Sequence, residues 1–167
     1  MSLRTLIAAL SVASFALVTA PARAETTLAV VVAPQHADVG YSAAELALIY
    51  QRKRVYWPDG RRIEPVNLPL LHPLRRAFSL AILKLEPAAL DDYWNEQYFH
   101  GVRPPYVVAS AAAVLRFVAQ TPGAIGYLDR CEVDDSVAII GVIDNGRWHA
   151  TRAPPPCASS TESAPAP

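Results

Sequence analysis

Apolar positions fall along this chain either in short continuous runs or at helical spacing, and each pattern predicts a kind of element. Thr26–Ala33 is a short, β-branched, continuously apolar run ended by Pro34, which predicts a buried strand. In the segment Ser42–Arg52, Leu46, Ile49 and Tyr50 fall on one helical stripe, with Lys53 adding its aliphatic stem. Ser42 and Glu45 have capping-box spacing, so each side chain can satisfy an amide of the first turn. Lys53 and Arg54 follow where the helix dipole favours cations. In Pro58-Asp59-Gly60, proline presets φ and glycine accepts a positive φ, which predicts a tight turn. Ile63–Leu68 then reads as a strand, with Pro65 placing it at a sheet edge or a strand entry.

From Pro73 the period changes to helical. Leu74, Ala77, Phe78, Ala81, Ile82 and Leu85 define one face, with Pro73 well placed at the first helical position. A second helix is predicted from about Pro87 to Phe99, burying Leu90, Tyr93, Trp94 and Tyr98. Gly101 ends it, and Pro104-Pro105 forces extended backbone. Ser110 caps a third helix in which only Arg116 and Gln120 are strongly polar, so burial nearly all round is expected. Pro122-Gly123 stops that helix. Ala124–Leu128 and Ser136–Ile143 read as strands, the second as a central one. Asn145-Gly146 predicts a hairpin returning through Arg147–Thr151. This order of elements predicts an α/β three-layer domain on a mixed sheet.

The ends of the chain change the picture. Arg4, the apolar run Leu6 to Val18 and the Ala22-Arg23-Ala24 site have the layout of a cleaved export signal over residues 1–24. The run is too short to span a bilayer, which takes roughly 18 residues or more. Cleavage would leave residues 25–152 as the domain and 153–167 as a Pro/Ala/Ser-rich tail expected to be disordered. Loss of Arg4 and Arg23 takes the 15 basic residues to 13 against 15 acidic ones, a balance that argues against a nucleic-acid partner. No other apolar run is long enough for a membrane span. Cys131 and Cys157 both survive cleavage. In an oxidising compartment the pair reads as a disulfide, the alternative being an unpaired Cys157 in the tail.

Candidate chemistry is sparse. His72, Arg75 and Arg76 form a cationic group at a helix start, suited to an anion through the guanidinium fork or, alternatively, to a solvated helix face with Arg76 paired to a carboxylate. Ser110 is a possible second anion contact or an ordinary N-cap. His36, His72, His100 and His149 are scattered without paired spacing, and the acidic residues lack a calcium-loop pattern, so no metal site, cofactor or enzymatic centre is expected. The many tyrosines and tryptophans read mostly as core. Any exposed together would mark a partner surface.

Several segments in fixed order carry a resemblance. They are Tyr41–Tyr50, Trp57-Pro-Asp-Gly60, Arg76-Ala-Phe78, Tyr93-Trp94, Phe99-His-Gly101, Pro104-Pro105, Ser110 and Pro122-Gly-Ala-Ile-Gly-Tyr127. Over residues 28 to 128 the chain resembles the phosphate-binding-protein-like (type II periplasmic binding protein) family, in the short form labelled phosphate ABC transporter substrate-binding protein. The resemblance implies a three-layer αβα single lobe on a mixed sheet, a periplasmic location, and inorganic phosphate or another small oxyanion as ligand. For such a ligand the candidate site lies where the Leu71–Arg76 helix start approaches Ser110, with His72, Arg75, Arg76 and Ser110 as the available contacts. In larger relatives the ligand helix starts at a Ser-Gly-Thr triplet. Here that stretch is Leu70-Leu71-His72-Pro73-Leu74-Arg75-Arg76, without the triplet and with Pro73 removing an amide, so weak binding is the expectation. The alternative is an interaction module that keeps the lobe as a scaffold for a periplasmic or membrane protein partner.

Overall fold

A computed structural model describes residues 27–37, 40–153 and 157. The leader expected over residues 1–24, and the tail apart from Ala153 and Cys157, lie outside the described residues. Strands β1 (Leu28–Val32), β2 (Glu64–Asn67), β3 (Tyr106–Val107), β4 (Ala124–Asp129), β5 (Ala138–Asp144) and β6 (Arg147–Ala150) alternate with helices α1 (Ala43–Tyr50), α2 (Pro73–Phe78), α3 (Asp91–Phe99) and α4 (Ala111–Gln120). The strands form one mixed sheet in the order β3-β2-β4-β1-β5-β6. β2 runs parallel to β3 and β4, while β1 is antiparallel to both β4 and β5.

Alternation along β4 sorts the helices onto two faces. A Cβ on Gly126 would meet Val114 and Val118, so that face carries α4. Tyr127 points the other way and stacks on Phe78 at 4.1 Å between ring centroids, so the opposite face carries α1 and α2. The result is the three-layer αβα lobe with a mixed sheet that the chain's pattern predicts. Its core runs through the centre: β1 is buried along its whole length and packs with Leu46, Ile49 and Tyr50 of α1. The capping box of α1 forms as expected, with the Ser42 backbone amide donating to Glu45 Oε2 and the Glu45 amide donating to Ser42 Oγ.

The two sequence landmarks meet in space. Trp57 Nε1 donates to the Gly123 carbonyl at 2.9 Å, and the Glu64 amide donates to the same oxygen at 3.0 Å. Gly123 has φ 88°, and a Cβ there would lie 2.2 Å from the Arg62 carbonyl oxygen. Glycine is therefore required both for backbone conformation and for space. The predicted turn closes through the Gly60 amide donating to the Trp57 carbonyl. Asn145 and Gly146 both have positive φ, as the predicted hairpin demands.

Three expectations need correction, and one is decided between its two alternatives. β2 is not an edge strand, because the two-residue β3 flanks it, so Pro65 marks the strand entry. Pro65 is tolerated as an entry residue: β3 pairs only from Val66 onward, so the missing N–H breaks no ladder bond. The helix from Pro73 does not continue to Leu85. It passes into a π-helical turn at Ser79–Leu83 and ends at Lys84 with φ 61°. Phe78, Ala81 and Ile82 of the predicted face are buried and Leu74 packs against the core, but Ala77 and Leu85 are exposed, and Arg75 and Ser79 are buried beside Phe78.

Tyr98 does not join the core. Pro87–Leu90 form a 3-10 turn anchored by Leu90, and Tyr93 donates its hydroxyl to the Gln51 carbonyl at 2.7 Å, but among the described residues nothing covers the far end of α3. α4 buries only Ala111, Val114 and Val118, because the sheet covers one side of it and its alanines tolerate solvent on the other. Cys131 and Cys157 form a disulfide, with their Cα atoms 5.5 Å apart.

Candidate functional site

Parallel β2 and β3 end at the same edge of the sheet, and the chain leaves each of them into a helix on opposite faces: α2 after β2, α4 after β3. In open α/β sheets this carboxyl edge is where ligands are received. His72 is the N-cap of α2 and Ser110 the N-cap of α4, so both belong to this edge.

Three of the four candidate residues already have local partners. His72 Nδ1 accepts from the Leu74 amide at 3.2 Å. Ser110 Oγ accepts from the Ala113 amide at 3.2 Å. Arg76 grips Glu86 with both Nε (3.0 Å) and Nη2 (2.6 Å), a bidentate pair at the surface.

Arg75 differs from them. It is 8% exposed, and its Nε and Nη1 are sealed from solvent with no hydrogen-bond partner among the described residues. One turn further along the same helix face, Ser79 is fully buried and its hydroxyl also has no partner among the described residues.

The surroundings of Arg75 are aromatic and polar. Tyr127 donates its hydroxyl to Asn67 Oδ1 at 3.1 Å and accepts from the Leu68 amide at 3.4 Å. Phe78 lies between Tyr127 and Tyr50, with ring centroids 4.4 Å from Tyr50. Burial pushes the Tyr127 hydroxyl up to about 12, and the Arg75 charge and the Leu68 amide pull the other way. Burial also holds the Tyr50 hydroxyl well above its usual range, again opposed by Arg75. Both hydroxyls therefore stay neutral, so neither supplies the negative charge that a buried guanidinium calls for. Nε and Nη1 of Arg75 are therefore left without an acceptor among the described residues.

Sequence reasoning named Arg75 as a cation at a helix start but missed its burial, and with it Ser79, Asn67 and Tyr127. The available signal was that Arg75 and Ser79 are four apart and flank Phe78, so a small rotation of the helix buries all three. Beside this edge, Leu71 is 93% exposed, an apolar side chain with no cover. Among the described residues no group of three His, Cys, Asp or Glu side chains is placed to hold a metal ion.

No protein-family model matches the chain, and no curated protein matches it in sequence. Solved structures do match. An ABC-type phosphate transport receptor from Vibrio cholerae shares 20% identity, covering 68% of this chain and 46% of its own, with a TM-score of 0.54. A phosphate ABC transporter substrate-binding protein from Clostridium perfringens, solved with bound phosphate, shares 18% identity over 68% of this chain and 44% of its own, at a TM-score of 0.53. The chain thus spans less than half the length of either structure. It has the fold of the phosphate-binding-protein-like group, in the form of a single lobe.

Proposed function

We propose that this protein is an exported, single-lobe solute-binding protein that takes phosphate or a related small oxyanion weakly, with Arg75 as the principal cation. The observation that carries this reading is the pair of buried Arg75 nitrogens, Nε and Nη1, without a partner among the described residues, beside neutral tyrosine hydroxyls at the carboxyl edge of parallel strands. The fold shared with phosphate-binding receptors supports the ligand class. The binding chemistry is charge-assisted hydrogen bonding: Arg75 supplies the fork and Ser79 a hydroxyl. His72 and Ser110 would contribute by giving up their caps, and Arg76 by giving up Glu86. A single lobe covers one side of its ligand, whereas tight sites bury roughly 70–90% of it, so the affinity is low. The leader and the Cys131–Cys157 disulfide support export to the periplasm. No enzymatic step is proposed.

Calorimetric titration of the mature chain with phosphate and sulfate tests the reading. A Kd of about 10 μM to 1 mM, equivalent to roughly −7 to −4 kcal/mol and weakening with salt, is expected. No heat at millimolar anion would reject it.

One observation favours a second reading, an interaction module without a ligand. His72, Arg76 and Ser110 are already engaged, and a band of aromatic residues stands uncovered at the end of α3. Phosphate silence combined with capture of a protein partner would select it.

A further inference from the structure

The end of α3, the link that follows it and the β2–β3 border enclose an open cleft of about 890 Å³. It shares no residue with the Arg75 site, so either assignment can fail without the other. Three arginines line it, Arg52, Arg62 and Arg103, against one carboxylate, Glu64. Glu64 is already paired with Arg62 at 3.2 Å, and Arg52 donates to the Ile63 carbonyl at 3.1 Å. Arg103 is exposed and has no hydrogen bond or ion pair among the described residues. Tyr98 and Tyr106 stand on the walls, 68% and 64% exposed, and Phe99 next to Tyr98 is 87% exposed.

Aromatic residues this open cost free energy in water unless something covers them, and tyrosine with arginine is the pairing that dominates protein interfaces. Pro104-Pro105 holds the cleft wall in extended backbone, so the wall is ordered in advance of binding. The excess positive charge selects the occupant. An acidic segment brings carboxylates to Arg103 and Arg62, and its apolar side chains cover the tyrosines. β3 is only two residues long and is preceded by prolines that lack N–H groups, so recognition runs through side chains and not through an added strand.

We propose that this cleft docks an extended acidic segment of a partner protein, with Arg103 as the charge anchor and Tyr98 and Tyr106 as the apolar walls. The test uses fluorescence anisotropy with a fluorescein-labelled glutamate–leucine repeat peptide, and the glutamine–leucine version as the uncharged control. The glutamate peptide is expected to bind and the glutamine peptide not to. Arg103→Glu is expected to weaken binding by about tenfold or more, the scale of a lost charge pair. Arg147→Glu makes the same charge change on β6 at the opposite sheet edge and is expected to cost less than about twofold. Tyr98→Ala is expected to weaken the peptide while leaving any phosphate response unchanged. Equal losses in Arg103→Glu and Arg147→Glu would reduce the effect to net charge and overturn the proposal, as would displacement by free glutamate at micromolar levels. A dimer seen by sedimentation and dissolved by Arg103→Glu would assign the cleft to a second copy of the chain and overturn it too.

Discussion

Replacing Arg75 with methionine should stabilise the protein in anion-free buffer and remove its response to phosphate. Methionine keeps the length and flexibility of the arginine stem but carries no donors, so it fills the space beside Phe78 and Tyr127 without the orphaned nitrogens. Each buried polar group left without a partner costs about 1–3 kcal/mol, and replacing buried charge by apolar volume often gains about 1–4 kcal/mol. Arg75 has two such nitrogens and stays partly in reach of solvent. The expected gain is therefore about 1–3 kcal/mol.

The wild-type protein should recover that difference when anion is added. At phosphate 10- to 1,000-fold above Kd, linkage adds about 1.4–4 kcal/mol, which raises Tm by roughly 4–15 °C for a domain of this size. Thermal melts of wild type and Arg75→Met, in neutral buffer without multivalent anions and then with phosphate, give all four values. Two results would refute the reasoning. One is a variant less stable than wild type without anion, which would mean that Arg75 has good partners. The other is a variant that phosphate stabilises as much as wild type, which would place the anion elsewhere.

Gly123→Ala should lose about 2–4 kcal/mol in urea unfolding, because it strains a positive φ and drives a Cβ into the Arg62 carbonyl. Cys157→Ser should cost about 3.5 kcal/mol by the chain-entropy estimate for a bridge spanning 26 residues, measured against the oxidised protein. His36 is buried and stacked on Trp57, and burial lowers its pKa below 6.5 with Arg61 helping and Asp59 opposing. The unfolded chain therefore binds this proton more readily, so stability is full above about pH 6.5 and falls as pH drops through that value toward the folded pKa. Melts at pH 7.5 and pH 5.5 should show a decline that His36→Phe makes shallower; an unchanged slope would remove His36 from the account.

The sheet and its helices were legible because their periods are clean. The β-branched run of β1, the Ser42/Glu45 capping box and the Asn145-Gly146 hairpin are local signals, and the structure keeps each of them. What failed depended on tertiary geometry. The π-helical turn and the left-handed Lys84 end the helix early, so Phe78, Ala81 and Ile82 of the apolar face are buried as its pattern favours while Ala77 and Leu85 are exposed. Tyr98 and Phe99 look like core by spacing, yet α3 lies at the margin with no layer above its far end. The site was legible only as a cluster of cations at a helix start. The alternative that pairs Arg76 with a carboxylate holds, with Glu86 as the partner, but local sequence could not show that Arg75 Nε and Nη1 would be buried without an acceptor.

The account turns on whether an anion reaches the Arg75 guanidinium. Arginine Nε–H signals of the ¹⁵N-labelled protein, followed during phosphate titration and assigned by comparison with Arg75→Met, report that contact directly. The account predicts that the Arg75 signal shifts and saturates at about 10 μM to 1 mM phosphate, while the Arg76 signal, held by Glu86, moves little. An Arg75 signal that stays fixed while Arg76 or the surface arginines shift would contradict it.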